Sequence, residues 1–248
     1  MAGNTKNDSG WGIDIVREMF PKASGVNIAK YFPIIDQALD QQIQKHGIKD
    51  SASIVKLKLY SYATIRVENT SFNPRDEARS HFNTGPQRRP KVEGLSANFE
   101  NIQEISDKLI TTYHLDRPFG LYDDDLRSKK NSLGNYREGM GELYKGRGFI
   151  QLTGRSNYVR YAALAGAPQI VSHPEKAGEP HIAARILAAY ILQSCHRILS
   201  DLDRGDFRAA RAVVNGPRAL HHERFTEAYK KGEHAMKASH PRTVQHST

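Results

Sequence analysis

A short stretch of the chain, residues 144–158, combines residue types suited to holding a hydroxyl-rich ligand and a water molecule. It reads YKGRGFIQLTGRSNY, in which the glycines permit sharp turns and Phe149 supplies an apolar anchor. If the backbone is extended over 149–153, Gln151 and Thr153 point to the same side. The alternative is a glycine-rich turn before a helix. Polar side chains recur here at every second position, at Gln151, Thr153, Arg155 and Asn157.

Glu68 has the position expected of a proton donor. Apolar residues at 54–67 cover more than one face of a helix that Asp50 or Ser51 would cap, which predicts a buried, central helix ending at Glu68. The helix dipole and apolar neighbours both disfavour the charged form of a carboxyl group at such a place. A carboxyl group that keeps its proton near neutral pH can serve as a general acid.

Apolar residues at helical spacing predict that the elements around these two features are also helices. The predicted segments are 13–20, 27–46 with Pro33 in its first turn, 99–113, 158–164, 182–199, 207–214 and 220–236. Residues 71–90 and 118–148 are predicted to be irregular, since Asn-Pro, Gly-Pro and glycine-rich turns interrupt them.

Four segments, in order, resemble glycoside hydrolase family 19, the chitinases and phage endolysins with a lysozyme-like fold. Residues 146–158 match the family pattern GRG-x-IQLT/S-x-x-x-N-Y, which lines its sugar-binding cleft. FGLYDDDLRSKKNSLGNYREGMGELYKGRG (119–148) resembles the lead-in to it. YATIRVENTSFNPRDEARSHFNT (62–84) resembles the end of the catalytic helix, and AARAVVNGPRALHHER (209–224) resembles the late Asn-Gly and Arg. The resemblance extends over 31–229.

The resemblance implies hydrolysis of a glycosidic bond with inversion, for which Glu68 is the acid. The second carboxylate is Glu77, nine positions later, with Asp76 as the alternative. Both also fit an exposed acidic pair or partners of nearby arginines. Inversion needs about 6.5–9.5 Å between the two carboxyl groups, because a water must fit there. Val67 departs from the family, which usually has His before the acid.

The resemblance also implies which residues hold the water and the sugar. Thr153 or Ser80 would hold the water, since Arg79 occupies the place where phage-type members have Thr. Gln151 and Asn157 match the sugar-contacting Gln and Asn, and an amide can both donate and accept hydrogen bonds.

Three further residues have two interpretations each. Tyr144 either stacks on a sugar ring or belongs to the core. Asn215 matches the late Asn of the family or forms a plain Asn-Gly-Pro turn. Arg224 either pairs with a catalytic carboxylate or is an exposed helical arginine near Glu223. Met140 departs from the family, since many bacterial members have Asp there.

These elements predict a mainly α, lysozyme-like fold with two lobes flanking a substrate cleft. A single catalytic domain is expected over 11–237, preceded by a disordered segment at 1–10 and followed by a mobile tail at 238–248. The single cysteine, Cys195, excludes an internal disulfide and is expected to be buried. No cofactor or metal is expected, because His221 and His222 are adjacent and no cluster has metal-ligand spacing.

The chain of 248 residues carries a net charge of +9, with a pI of about 9.6 and a mean hydropathy of -0.62. It has no apolar run that spans a membrane and no nucleic-acid-binding motif, so neither membrane insertion nor nucleic-acid binding is expected. The basic charge suits an anionic cell wall. A binding protein that keeps the cleft but has lost catalysis is the alternative from another class, and a nucleic-acid binder rests on the pI alone.

Peptidoglycan is therefore the first expected substrate, and chitin is the alternative. The lack of a cysteine framework and the bacterial or phage form of the loops also favour peptidoglycan. No signal peptide is evident, so synthesis in the cytoplasm is expected. The wall would be reached through a phage holin, as an endolysin, or through a secretion system, as a toxin with a cognate immunity protein. A monomer is expected.

Overall fold

The computed structural model describes residues 11–77, 133–135 and 140–239, and this part of the chain is mainly helical, as predicted. The predicted helix at 99–113, the segment 1–10 and residues 240–248 of the tail lie outside the described residues. The described α-helices are α1 (Ile13–Met19), α2 (Gly25–Lys45), α3 (Ser51–Glu68), α4 (Met140–Leu143), α5 (Arg155–Leu164), α6 (Pro180–Leu192), α7 (Cys195–Asp203), α8 (Phe207–Asn215) and α9 (His222–Ser239).

The chain divides into two compact units. The first comprises Met1–Asn73 and Leu187–Thr248, and the second comprises Pro74–Ile186. The second unit contains two short antiparallel strands, β1 (Arg75–Asp76) and β2 (Arg147–Gly148), and two 3-10 helices, Pro168–Val171 and Pro174–Gly178. No described helix has the length and apolar composition that crossing a bilayer requires.

Helix α3 is the central element of the first unit, as its sequence predicts. The Asp50 carboxylate caps it by accepting a hydrogen bond from the Ser53 backbone N–H at 2.7 Å. All residues from Leu57 to Ile65 are buried, and α3 packs against α1, α2, α7 and α9. Gly232 of α9 permits this close packing, since a Cβ there would lie 2.3 Å from Leu59 Cδ2.

A lysine is buried inside this unit together with its counter-charges. Lys58 of α3 is only 1% exposed, and its Nζ lies 2.9 Å from Asp36 Oδ2 and 2.8 Å from Asp40 Oδ1. The indole N–H of Trp11 donates to Asp36 Oδ1 at 2.8 Å. Burial raises the pKa of Asp36 above its ordinary value, and the charge and hydrogen bond of Lys58 act against this shift. The cluster fixes α2 and the chain at Trp11 against α3.

Several helical boundaries differ from their predictions, among them the starts of α2, α5 and α9. Helix α2 begins at Gly25, so Pro33 lies inside the helix and not in its first turn. The first turn was missed because Val26 is exposed and gives no apolar repeat. Helix α9 begins at His222, after 220, because His221 has a φ of 59° that a helix does not accommodate.

The single helix predicted over 182–199 is wrong, because a turn at Gln193 and Ser194 separates α6 from α7. The Gln193 side chain donates to the Tyr190 carbonyl, and the Ser194 N–H bonds to the Ile191 carbonyl three residues back. Such contacts compete with helical hydrogen bonds. The apolar pattern continues across the turn, so periodicity does not reveal it. Cys195 is buried as predicted, and burial raises the pKa of its thiol.

The core of the second unit lies between the glycine-rich turn and the helices that follow it. Helix α5 packs against the Pro168–Val171 helix, and β2 packs against the Pro174–Gly178 helix. Gly148 has a φ of 82°, and a Cβ there would lie 3.1 Å from the Ala177 carbonyl oxygen, so only glycine fits without strain.

The buried Lys58 cluster yields a stability prediction. Lys58→Met should lower the free energy of unfolding by about 3 kcal/mol at pH 7, because it leaves the Asp36 carboxylate buried without its cation. The pKa of Asp36, already raised by burial, rises further in this variant. A carboxyl group with a raised folded-state pKa stabilises the fold below its ordinary value of 3.8, and this contribution is lost as the pH rises. The loss in free energy of unfolding, measured by urea unfolding of Lys58→Met and the wild type, should therefore be smaller at pH 4 than at pH 7.

Lys56→Met on the same helix is the matched control. Lys56 pairs with Asp203 on the surface, so its removal should cost less than about 1 kcal/mol. Adding Asp36→Asn to Lys58→Met should recover part of the loss. Equal costs for the two lysine variants, or a deficit that does not depend on pH, would contradict the role given to this cluster.

Candidate functional site

Glu68 is the last residue of α3, as predicted, and it forms an ion pair with a buried arginine. Its Oε1 atom accepts a hydrogen bond from Nη2 of Arg211 in α8. The Arg211 side chain is 1% exposed, whereas the Glu68 side chain is 25% exposed. The Glu68 carboxyl group is therefore partly exposed at the surface of the first unit, and its charged partner Arg211 is buried.

Several contacts hold Arg211 in this position. Its Nε donates to the Leu220 carbonyl at 3.3 Å, and the Tyr60 hydroxyl donates to the carbonyl of the neighbouring Ala210 at 2.8 Å. Nη1 of Arg211 is buried and has no hydrogen-bond partner among the described residues. One guanidinium N–H group thus remains available for a further acceptor.

Arg211 is the arginine that the structure pairs with Glu68, and Arg224 agrees with the second interpretation, an exposed helical arginine. Arg224 is exposed on α9, where its charge acts on Glu227 of the same helix. One feature of the sequence indicates Arg211: it lies on the same helical face as the apolar residues Phe207 and Val214. An arginine on an apolar face needs a buried counter-charge.

Asn215 ends α8, and its side chain accepts a hydrogen bond from the Leu220 N–H. It closes the loop between α8 and α9, which agrees with the turn interpretation of the sequence. The same loop supplies the Leu220 carbonyl that accepts from Arg211. Asn215 therefore supports the position of Arg211 from the opposite end of the loop.

In the second unit, Glu77 forms reciprocal hydrogen bonds with the backbone of Gly146. The Glu77 N–H donates to the Gly146 carbonyl at 2.8 Å, and the Gly146 N–H donates to Glu77 Oε2 at 2.9 Å. A Cβ on Gly146 would lie 3.2 Å from Glu77 Oε2, 3.1 Å from Gln151 Oε1 and 3.2 Å from Thr153 Oγ1. Three predicted site residues thus converge on one face of Gly146. We call the turn over residues 146–153, which brings them together, the Gly146 turn.

This convergence arises from a tight turn, not from the extended backbone considered for 149–153. Arg147 and Leu152 exchange backbone hydrogen bonds of 2.9 and 3.2 Å, so the residues between them reverse the chain direction. Gln151 has a φ of 53°, in the left-handed region, and this conformation directs its amide towards Gly146. The turn interpretation of the glycines is therefore correct, and the turn itself brings the polar groups together.

The hydrogen bonds of Gln151 and Thr153 restrict what each can bind. Both amide hydrogens of Gln151 are used, in bonds to the carbonyls of Arg75 at 3.0 Å and Gly148 at 3.1 Å. Gln151 thus presents its Oε1 atom as an acceptor. The Thr153 hydroxyl donates to the Gln151 carbonyl at 2.9 Å, so its oxygen lone pairs can accept a hydrogen bond.

Asn157 and Tyr144 support the turn from inside the second unit. Nδ2 of Asn157 donates to the Thr153 carbonyl at 2.8 Å, so this amide positions Thr153. Tyr144 is 5% exposed, and its hydroxyl donates to the Val171 carbonyl at 2.7 Å. Burial assigns Tyr144 to the core and leaves no face for stacking on a sugar ring. Ser80 lies outside the described residues.

Asp76, the alternative second carboxylate, is paired with a buried arginine. Its Oδ2 lies 3.4 Å from Nε of Arg147, whose Nη1 donates to the Leu143 carbonyl and the Tyr158 hydroxyl. Burial raises the pKa of Tyr158 to about 12, and the Arg147 charge opposes this shift. The ion pair gives Asp76 a structural role, and among the two carboxylates it is Glu77 that faces Gln151 and Thr153.

No group of three or more His, Cys, Asp or Glu side chains within the described ranges is arranged to hold a metal ion. The chain matches no protein-family model, and no curated protein matches it either. Two local arrangements hold the candidate reacting groups: Glu68 with Arg211 in the first unit and the Gly146 turn in the second.

The ion pair predicts that replacing Glu68 destabilises the fold. Glu68→Gln should lower the free energy of unfolding by about 2 kcal/mol, because it leaves the buried Arg211 without a counter-charge. In an Arg211→Met background the same change should cost much less. Chemical denaturation of the four proteins in this double-mutant cycle measures the coupling, for which we expect about 1–3 kcal/mol.

Glu18→Gln serves as the control, since Glu18 is exposed on α1 of the same unit and should change stability by less than about 0.5 kcal/mol. A Glu68→Gln protein that is as stable as the wild type, or more stable, would show that the pair contributes nothing to folding.

Proposed function

We propose that the chain is a peptidoglycan-degrading glycoside hydrolase that cleaves β-1,4 bonds between N-acetylamino sugars with inversion. The observation that carries this proposal is the convergence of Glu77, Thr153 and Gln151 on the Gly146 turn. A carboxylate, a hydroxyl and an amide oxygen around one glycine can orient a water molecule for attack. Glu68, at the end of a buried helix, supplies the second carboxyl group that inversion requires.

Glu77 is proposed as the general base. The backbone N–H of Gly146 donates to its Oε2, and such a bond stabilises the ionised carboxylate. A base must be ionised when the water arrives, so this contact suits the role. Thr153 would accept one hydrogen from the water, because its own proton is committed to the Gln151 carbonyl. Glu77 would take the other hydrogen as the water attacks the anomeric carbon.

Glu68 is proposed as the general acid. Arg211 engages Oε1, so the proton for the leaving oxygen would be carried on Oε2. Once the proton has moved to the leaving group, the carboxylate that remains is stabilised by the adjacent guanidinium. Arg211 is thus proposed as a positioning residue that also favours the later part of proton transfer.

The proposal includes a lysozyme-like fold with two lobes flanking a substrate cleft. It requires the carboxyl groups of Glu68 and Glu77 to stand about 6.5–9.5 Å apart in the complex with substrate. Peptidoglycan is favoured over chitin because the chain carries a net charge of +9 and the wall polymer is anionic. A holin or a secretion system would deliver the protein to the wall, and in the second case an immunity protein would block it.

Purified peptidoglycan provides the test of this proposal. Glu77→Gln should lower kcat by about 10²- to 10⁴-fold, the contribution typical of a general base, while the unfolding midpoint stays near that of the wild type. Asp76→Asn should retain most of the activity per folded molecule, and its folded fraction is measured in parallel because it removes the ion pair with Arg147. Glu68→Gln should also lose activity, and its remaining folded fraction is measured in parallel because it removes an ion pair.

The products identify the reaction. We expect turbidity loss together with new reducing sugar ends. NMR spectra recorded immediately after cleavage should show a product anomer opposite in configuration to that of the substrate bond. Lysis without reducing ends would mean cleavage of peptide or amide bonds, and the proposal would be wrong. Folded wild type that binds the wall without cleaving it or chitin oligomers would identify a binding protein instead.

The Gly146 turn gives a second, independent prediction. Gly146→Ala places a methyl group about 3.1–3.2 Å from the three converging oxygens, which must each move by a few tenths of an ångström. Such a displacement should lower kcat about tenfold or more, with little change in stability. Gly25→Ala is the control, since a Cβ there meets nothing within 4 Å. Full activity of Gly146→Ala would mean that the turn does not position the reacting groups.

A further inference from the structure

A small cavity at the end of α3 is lined by an unusual share of cations. It has a volume of about 20 Å³, which suits a single oxygen atom. Met19 and Ala228 provide apolar walls. We call this space the Arg66 cavity; its remaining lining residues are Arg66, Arg224, Glu227 and Lys231.

The charges around the Arg66 cavity do not balance. Lys231 is paired with Glu227 at 2.7 Å, one helical turn away on α9. This hydrogen bond and the charge of Lys231 lower the pKa of Glu227, and the charges of Arg66 and Arg224 act in the same direction. Three cations therefore share one carboxylate, and the cavity retains a positive potential that attracts an anion.

Arg66 also has a donor that is not satisfied within the described part of the chain. Its Nη1 atom is buried and has no hydrogen-bond partner there. Buried polar groups in proteins almost always have partners, so this guanidinium N–H group needs an acceptor, and a cavity of this size holds one water molecule or one oxygen of an anion. An oxygen of a carboxylate or phosphate would satisfy both the geometry and the charge.

We infer that the Arg66 cavity is an oxyanion site that binds a carboxylate or phosphate group of the acidic wall polymer. Arg66 would donate from the buried side, and Arg224 and Lys231 would neutralise the anion at the mouth. Arg66 lies in the same last helical turn as Glu68, but on a different face of the helix. This inference rests on the proposed function for the identity of the ligand, but not for the existence of the anion site.

Binding is tested first without any reaction. Inorganic phosphate and acetate are each titrated at constant ionic strength, while the arginine Nε–H signals are followed by NMR. Saturable shifts are expected in the wild type and in Arg17→Gln, which removes an exposed cation on α1. The shifts should be lost in Arg224→Gln, an exposed position at which the fold should tolerate substitution. No saturation in the wild type, or equal saturation in Arg224→Gln, would overturn the inference.

Activity on three wall substrates then identifies the source of the anion. They are intact sacculi, sacculi stripped of phosphate polymers, and glycan strands stripped of stem peptides. Arg224→Gln should raise KM about tenfold on the substrates that carry the anion, the loss expected for one charge-assisted hydrogen bond, with kcat unchanged. The difference should disappear on phosphate-stripped sacculi if phosphate is the ligand, and on peptide-stripped strands if it is carboxylate.

The two proposals fail in different ways. In one outcome the wild type lyses the wall, and Arg224→Gln and Arg17→Gln have the same KM on all three substrates. This outcome would overturn the oxyanion site for the polymer and would support the hydrolase proposal. Saturable phosphate binding that depends on Arg224, with no lysis of any substrate, would support the anion site and overturn the hydrolase.

Discussion

A buried guanidinium must have a negative charge close to it, and this constraint organises the region around Glu68. Arg211 is almost fully buried, and the carboxylate of Glu68 is the charge that it meets. The pair joins the end of α3 to α8, and the Leu220 carbonyl joins the following loop to the same guanidinium. Removing the charge of Glu68 or of Arg211 would therefore weaken the contacts among α3, α8 and the loop that follows α8. Glu68 thus has a structural task in addition to the chemical one proposed for it.

The two proposed catalytic carboxylates are held in different ways. Glu68 faces a side-chain cation, whereas Glu77 accepts a hydrogen bond from a backbone N–H. The guanidinium carries a full charge and acts over several ångströms, while the amide is a dipole whose effect is local. An acid that must release a proton and a base that must stay ionised while a water approaches have different needs. The backbone donor suits a base that stays ionised, whereas a guanidinium favours the ionised form of a carboxyl group and so does not help an acid to hold its proton.

The sequence predicts the helices well where one face carries a continuous apolar repeat. It predicts the buried α3, a cap at Asp50 or Ser51 and an end at Glu68, because each depends on local spacing and capping chemistry. It does not predict the turn at Gln193 and Ser194, since the apolar pattern runs through it and side-chain to backbone bonds create the break.

Within the candidate site, residue identity was easier to predict than geometry. Gln151 and Thr153 do meet Glu77, but through a left-handed turn at Gln151 that no two-residue alternation can indicate. Arg211 was missed because its role depends on a contact with a residue 143 positions away in the chain. The sequence allows two roles for Tyr144, and only its burial distinguishes them.

The donor that holds Glu77 belongs to the main chain, and this has a consequence for how the site can change during evolution. A side chain that supplies a hydrogen bond can be lost through any one of many point mutations. The Gly146 N–H does not depend on a side chain, and only proline would remove it, although any side chain there would crowd the three converging oxygens. Mutation can thus delete the carboxylate in one step, but the turn that receives it persists. A descendant that lost the Glu77 carboxylate would still have the Gly146 turn, and a single reversion could restore the contact.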